Sequence, residues 1–265
     1  MSSATGAVRD LYYYPVKGLS PQQLPRVELV SGEGFPFDRM YGLARFDSGF
    51  DPKQPQPLPK QRFLMLARDA RLAGLQTHLN PQTRHFTIRV QGDVVHESNF
   101  SEPGSIDRTI DFFATMFSLD RDRRPFLAEA APHRFTDVSV GSARMMNAIS
   151  LINLNSVADF SARVGVPIDP LRFRANLYFD GWPPFSELER MDEEFEIGTL
   201  RMRILRRTRR CAATEVNPKT AERDVAVPRL LKEHYGHFDM GVYAEVLTGG
   251  TVEPGMPVVI RATRC

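Results

Sequence analysis

Arg206–Asp224 reads RRTRRCAATEVNPKTAERD, and it sets Cys211, one of two cysteines in the chain, behind four arginines within five residues. A thiol acts as nucleophile, sulfur carrier or metal ligand only as its thiolate, and neighbouring positive charge favours that form. Asn217-Pro218 followed by Lys219-Thr220 marks a turn, so the thiol stands near the end of an element. Leu200, Met202 and Ile204 alternate just upstream with Arg201 and Arg203, the pattern of a half-buried strand with its arginines outward. Of the six arginines from Arg201 to Arg210, only Arg209 and Arg210 are then expected beside Cys211. The residues alone leave two readings open: a reactive thiol among cations, or a buried cysteine packing as a small hydrophobe next to a solvated basic run.

Three segments in order narrow that choice. Arg210-Cys211-x-x-Thr214-x-Val216-Asn217-Pro218 resembles the cysteine motif of the MOSC family, named for molybdenum cofactor sulfurase C-termini. Arg172-Phe173-Arg174-Ala175-Asn176 resembles that family's Arg-Phe-Arg-Pro-Asn strand, with alanine for proline. Tyr14-Pro15-Val16-Lys17-Gly18-Leu19 resembles the opening of the N-terminal barrel that accompanies many MOSC domains. The resemblance implies a mainly β fold with a few helices: a MOSC-type β-barrel preceded by a smaller, β-barrel-like N-terminal domain. It places the N-terminal domain at residues 1–120 and the MOSC domain at 121–265. The boundary falls at the mixed charge run Asp120–Arg124, which lacks linker composition, so the two parts are expected to pack as one body.

By the same resemblance Cys211 is the molybdenum ligand and catalytic residue, and Lys17, Arg39, Arg174, Asn176, Arg210 and Thr214 hold a molybdenum-pterin cofactor. The reaction implied is reduction of N-hydroxylated or N-oxide small-molecule substrates, as in the amidoxime-reducing branch of the family. A rival use of the same thiol is a Cys211 persulfide passed on by a sulfur carrier fed by a separate donor protein. A third is a non-catalytic module that binds an anionic partner through the basic face. Phe135-Thr136-Asp137 resembles the family's aromatic-x-Asp segment and makes Asp137 either a polar residue at the site mouth or a turn residue.

Composition bounds the rest. The 265 residues are 42% hydrophobic and 25% charged, ordinary for a globular protein. Thirty-four Lys+Arg against 32 Asp+Glu leave +2, too little to argue for nucleic acid. Two cysteines, one of them the terminal Cys265, make no disulfide framework and no four-thiolate iron–sulfur site. No pyridoxal phosphate is expected, because a desulfurase half would need several hundred more residues; a molybdenum reductase would therefore draw electrons from a separate redox partner. The opening MSSATGAVRD has no apolar signal core and no anchor of the kind mitochondrial relatives carry, so a cytoplasmic protein with no membrane contact is expected.

Along the chain, strands are expected at 8–17, 24–30, 40–46, 71–79, 85–90, 94–98, 125–129, 146–152, 173–179 and 200–205. Arg174 and Asn176 would share one face of their strand, being two residues apart. Gly92-Asp93 reads as a tight hairpin. Ser105 is expected to cap a helix striped by Ile106, Ile110, Phe113 and Phe117, and Asn155 or Ser156 one that ends at Gly165. A short helix should run over 228–235. The proline-rich 51–60 reads as an extended surface loop, an ordinary connection rather than a lid over a site, and 242–247 with 257–260 as a closing hairpin around Gly249-Gly250.

Overall fold

The computed structural model describes residues 5–261; Cys265 lies outside them. The N-terminal half carries β1 (Thr5–Tyr13), β2 (Val16–Lys17), β3 (Gln22–Leu24), β4 (Val27–Leu29), β5 (Tyr41–Ala44), β6 (Gln76–Leu79), β7 (His85–Val90) and β8 (Asp93–Asn99), then helix α1 (Pro103–Met116). After β9 (Phe126–Glu129) come α2 (Ala143–Met146), β10 (Ile149–Asn153), α3 (Leu154–Val164), β11 (Leu177–Asp180), β12 (Glu194–Ile197) and β13 (Leu200–Arg209). The described chain ends through α4 (Val227–Tyr235), β14 (Asp239–Thr248), β15 (Gly250–Val252) and β16 (Pro257–Ile260).

Seven strands close a barrel in the order β1-β11-β10-β14-β13-β12-β16, with β16 pairing back onto β1 and β3 attached outside the ring. Alternation along the strands turns one residue in two toward a shared core, to which each of the seven contributes: Val8, Leu151, Phe179, Phe195, Met202, Ala244 and Val258. Closure leaves these strands no free edge. Trp182 plugs the core from the β11–β12 loop, donating Nε1–H to the Val258 carbonyl at 3.3 Å and meeting Phe179 edge-on. A second apolar layer lies against the barrel, where α3 and α4 bring Val157, Phe160, Val227 and Leu231 onto Ile152, Tyr178 and Met240.

The N-terminal half builds two three-stranded sheets, β2-β5-β9 and β6-β7-β8, with α1 packed on β8. The Gly92-Asp93 hairpin forms as expected, with Gln91 and Gly92 both at positive φ and Val90 paired with Asp93. The helix at Gly165 also ends as expected, with that glycine left-handed at φ 72°. Strand pairing joins the two sides of residue 120 in three places, one of them β15 on β4. The N-terminal β1 completes the C-terminal barrel, and β9 pairs with β5 of the N-terminal half.

Other local expectations change. The strand over 8–17 is interrupted at Tyr14-Pro15, because proline lacks the N–H that a ladder needs. Much of the 71–79 segment is a 3₁₀ turn, Ala70–Gly74, ahead of β6. The first helix starts at Pro103 with Glu102 in the cap position; Ser105 lies inside its first turn and accepts from the Asn99 N–H. Asn153, not Asn155 or Ser156, caps α3. The closing segments form no hairpin: β14 pairs with β10 and β13, while β16 pairs with β1 and β12.

Candidate active site

A cavity of about 220 Å³ opens where the barrel meets the N-terminal half, and all seven candidate residues, Lys17, Arg39, Arg174, Asn176, Arg210, Cys211 and Thr214, line it. Lys17 ends β2, Arg39 precedes β5, Arg174 and Asn176 lead into β11, and the cysteine turn follows β13. Strands from both halves therefore deliver the wall by ending at one place.

Cys211 occupies the cap position of a 3₁₀ turn, Ala212–Glu215, and its carbonyl accepts from the Thr214 N–H at 3.0 Å and from Thr214 Oγ1 at 2.9 Å. Thr214 thus shapes the turn. The Arg210 guanidinium donates to the Met240 carbonyl from Nε at 2.8 Å and to the Phe173 carbonyl from Nη1 at 2.9 Å, which ties the turn to β14 and to the Arg174 loop. Across the turn, Arg223 donates to Ala212, Leu66 and Ala67 carbonyls, and Val216 packs into the N-terminal core. The cation that reaches the sulfur is a different one. Lys60, at the end of the proline-rich loop, puts Nζ 3.3 Å from Cys211 Sγ. Arg209 is turned away, stacked over Phe238 at 4.5 Å. Of the arginine run, Arg210 remains an electrostatic neighbour of Cys211, but the hydrogen bond to the sulfur comes from Lys60.

Asp137 links two of the lysines. Lys17 Nζ donates to Oδ1 at 2.5 Å and to the Phe135 carbonyl at 2.8 Å, and Lys60 Nζ lies 3.6 Å from Oδ2. Burial alone would raise the Asp137 carboxyl; the charges of Lys17 and Lys60 outweigh it and hold the group well below the usual carboxylate range. Burial lowers the Lys17 ammonium, and Asp137 works against that shift. Asp137, weighed from sequence between site and turn, is the acid at the centre of the lysine cluster.

Arg39 and Arg174 both sit over the buried Tyr14 ring, their guanidinium carbons 4.4 and 4.2 Å from its centre. Each has positive φ, 50° and 52°, a backbone arrangement that costs energy for non-glycine residues and recurs where side chains are held for function. Arg39 is engaged, donating to Asp38 and to the Arg174 carbonyl. The Arg174 side chain makes no hydrogen bond among the described residues, and burial lowers its pKa. Three further donors on wall residues lack partners: the buried hydroxyls of Thr136 and Thr208 and the Nε of Arg172.

The expected strand 173–179 begins only at Leu177, because Arg174 is the left-handed residue ending the 3₁₀ turn Pro170–Phe173. Arg174 and Asn176 therefore do not act as same-face neighbours. Asn176 Oδ1 accepts from the Ser150 N–H and Oγ, and Nδ2 donates to the Tyr12 carbonyl, so it fastens β10 to β1. Lys60 and Tyr14 escaped the sequence reading. Tyr14 stood in the quoted Tyr-Pro-Val-Lys stretch; Lys60 had only its place at the end of a proline loop.

The barrel carries the cysteine turn at its rim, and residues 132–259 match the MOSC domain model. That span is just under half of the chain; it holds β10, β11, β12, β13 and β14 and all of β16 but its last residue, and leaves β1 outside. Among solved structures, YiiM from Geobacillus stearothermophilus is 19% identical over 43% of this chain and 54% of that one, with a TM-score of 0.35. YiiM from Escherichia coli is 17% identical over 44% of this chain and 55% of its own, TM-score 0.30. YuaD from Bacillus subtilis is 13% identical over 99% of both chains, TM-score 0.45. The matches to YiiM thus reach about half the length of those proteins. No curated protein matches the sequence. No helix among the described residues is long and apolar enough to cross a membrane.

Proposed function

We propose that the cavity holds a molybdenum-pterin cofactor with Cys211 as its thiolate ligand, and that the protein reduces N-hydroxylated or N-oxide small molecules there. The observation that carries this reading is a cation-lined cavity with one thiol at its wall and unspent donors on Arg172, Arg174, Thr136 and Thr208. That donor set suits a phosphate- and pterin-bearing anion with a thiophilic metal. Bound there, the cofactor supplies two-electron redox chemistry.

The chain's own residues bind and orient. Arg174 and Lys17 donate charge-assisted bonds to anionic oxygens, and Arg39 holds the Arg174 loop through its carbonyl. Thr214, Arg210 and Arg223 fix the cysteine turn so that Sγ faces the cavity in one geometry. Removing an N-hydroxyl oxygen as water consumes two electrons and two protons. Lys60 and Lys17 are proton donors at the wall, Asp137, held ionised by them, orients both ammonium groups, and the protons they give up return from solvent. The electrons come from a separate redox protein, since two cysteines cannot build a four-thiolate cluster.

The test is the composition of the purified protein. Molybdenum with a fluorescent oxidised pterin, and amidoxime reduction driven by a reduced viologen dye, are expected. Cyanide-labile sulfur on Cys211 without molybdenum would assign the thiol to sulfur transfer instead, and neither would leave an anion-binding module.

A further inference from the structure

A second cavity, of about 260 Å³, lies in the N-terminal half and shares no lining residue with the one at Cys211. Four arginines stand on its wall: Arg45 just after β5, Arg68 and Arg71 ahead of β6, and Arg123 in the connection from α1 to β9. Two of them are held by the fold. Arg45 Nε pairs with Asp47 at 3.1 Å, and Arg71 donates to the Met116 carbonyl at 2.7 Å with its guanidinium carbon 4.6 Å from the centre of the Phe117 ring. The side chains of Arg68 and Arg123 are exposed and make no hydrogen bond or ion pair among the described residues. One carboxylate lines the cavity, Asp69, and its side chain is likewise unpaired among the described residues. Phe117 is covered by Arg71, which leaves Phe46, 48% exposed, as the open aromatic ring on the wall.

We propose that this cavity binds a mononucleotide, with its phosphate on Arg68 and Arg123, its base over Phe46, and Asp69 accepting from a ribose hydroxyl or an exocyclic amine. Three features of the wall select that ligand, and none depends on what the main cavity holds. A recess walled by four guanidiniums and one carboxylate concentrates a positive field. A monocarboxylate would leave most of that charge uncompensated, whereas a phosphomonoester brings about −1.5 to −2 at pH 7. The guanidinium fork also matches phosphate oxygens two at a time. Asp69 disfavours a bare anion, because its carboxylate repels one; it favours a ligand that carries hydroxyl or amine donors beside its charge. The open face of Phe46 is a stacking platform, on which a heteroaromatic ring is held by its flat surface whatever its edge. Phosphate, donors and a flat ring occur together in a nucleotide.

The test is calorimetric titration of the full chain with AMP, adenosine and inorganic phosphate. AMP should bind most tightly of the three and weaken as salt is raised. Arg68→Ala and Arg123→Ala, at exposed side chains that bond to nothing in the fold, should each weaken AMP by roughly tenfold, the loss of one charge-assisted hydrogen bond. Phe46→Ala should also weaken AMP by roughly tenfold, the loss of one stacked base, and leave inorganic phosphate unchanged. Asp69→Ala separates a nucleotide from a simple anion: it should weaken AMP yet strengthen inorganic phosphate. It removes no cap, because the Asp69 side chain makes no hydrogen bond to the 3₁₀ turn that follows it. Arg174→Ala, in the main cavity, should leave AMP affinity as in the unmodified protein. No saturable binding of AMP, adenosine binding as tightly as AMP, or Asp69→Ala strengthening both AMP and phosphate would each overturn the proposal. So would AMP binding that is lost in Arg174→Ala and kept in Arg68→Ala.

Discussion

Arg174 and Asp137 are the residues on which the site's electrostatics turn, and each makes a separable prediction. The Arg174 side chain makes no hydrogen bond among the described residues and only stacks over Tyr14, so its replacement breaks no hydrogen bond of the fold. Arg174→Ala is expected to weaken retention of an anionic cofactor by about 10- to 150-fold, the loss of one charge-assisted hydrogen bond worth about 1.5–3 kcal/mol, with the melting temperature nearly unchanged. Cofactor half-life in the presence of a pterin acceptor protein reads this out; full retention would reduce Arg174 to a wall residue. Asp137 is the opposite case, because Lys17 is buried and depends on it. Asp137→Asn keeps an acceptor but removes the charge; because the carboxylate is 47% exposed and solvent screens it, the cost at neutral pH should be about 1 kcal/mol or less. The folded carboxyl is depressed below its unfolded value of about 3.9, so its contribution is present above that value and is lost as pH falls toward the folded one. Denaturation curves should therefore show a constant gap between the two proteins from about pH 5 to 8, closing below about pH 4. Sequence disclosed these residues unequally. Lys17, Arg39, Arg174 and Cys211 stood in motifs, whereas Lys60 comes to the thiol from 151 positions away, a non-local contact that no spacing encodes.

At the scale of elements, local pattern carried β7, β13 and the end of α3, where alternation and a left-handed glycine act within a few residues. It misled where backbone and side chain part company. Arg174-Ala175-Asn176 looks like a strand with two polar residues on one face, yet the left-handed Arg174 ends a turn there, and the asparagine is spent on β1 and β10. Of the two arginines before Cys211, Arg210 stays beside the thiol and Arg209 stacks over Phe238 instead: β13 has register shifts between Ile204 and Arg206 and between Arg207 and Arg209, so simple alternation cannot place the last side chains. Gly241 shows how tightly the element behind the site is built. It is left-handed at φ 72°, and a Cβ would come within 2.2 Å of the Leu151 carbonyl across the β10–β14 ladder. Gly241→Ala should destabilise the fold by more than about 2 kcal/mol, combining left-handed strain with a forced backbone shift. It should also loosen the cysteine turn, because the adjacent Met240 carbonyl receives Arg210. Thermal unfolding together with the alkylation rate of Cys211 measures both effects; an unshifted melting temperature would contradict the packing described.

Over the whole molecule, the site exists because two halves meet: Lys17, Arg39 and Lys60 come from one, Arg174, Asp137 and Cys211 from the other. The order of the motifs implied that meeting, but not that β1 closes the barrel. That pairing joins residues more than 160 positions apart, between Ala7 and Asp180. A fragment of residues 121–265 would leave the edges of β11 and β16 unpaired, and should associate or misfold. Adding back a peptide of residues 5–13 should restore a monomer by size-exclusion chromatography, and a well-folded monomeric 121–265 fragment would contradict the closure. The central claim is that Cys211 binds molybdenum in this cavity. X-ray absorption at the molybdenum edge tests it most directly, on the purified protein and on Cys211→Ser. One sulfur neighbour of molybdenum should disappear in the variant while the pterin remains detectable; an identical sulfur count in both proteins, or no molybdenum in either, would contradict the account.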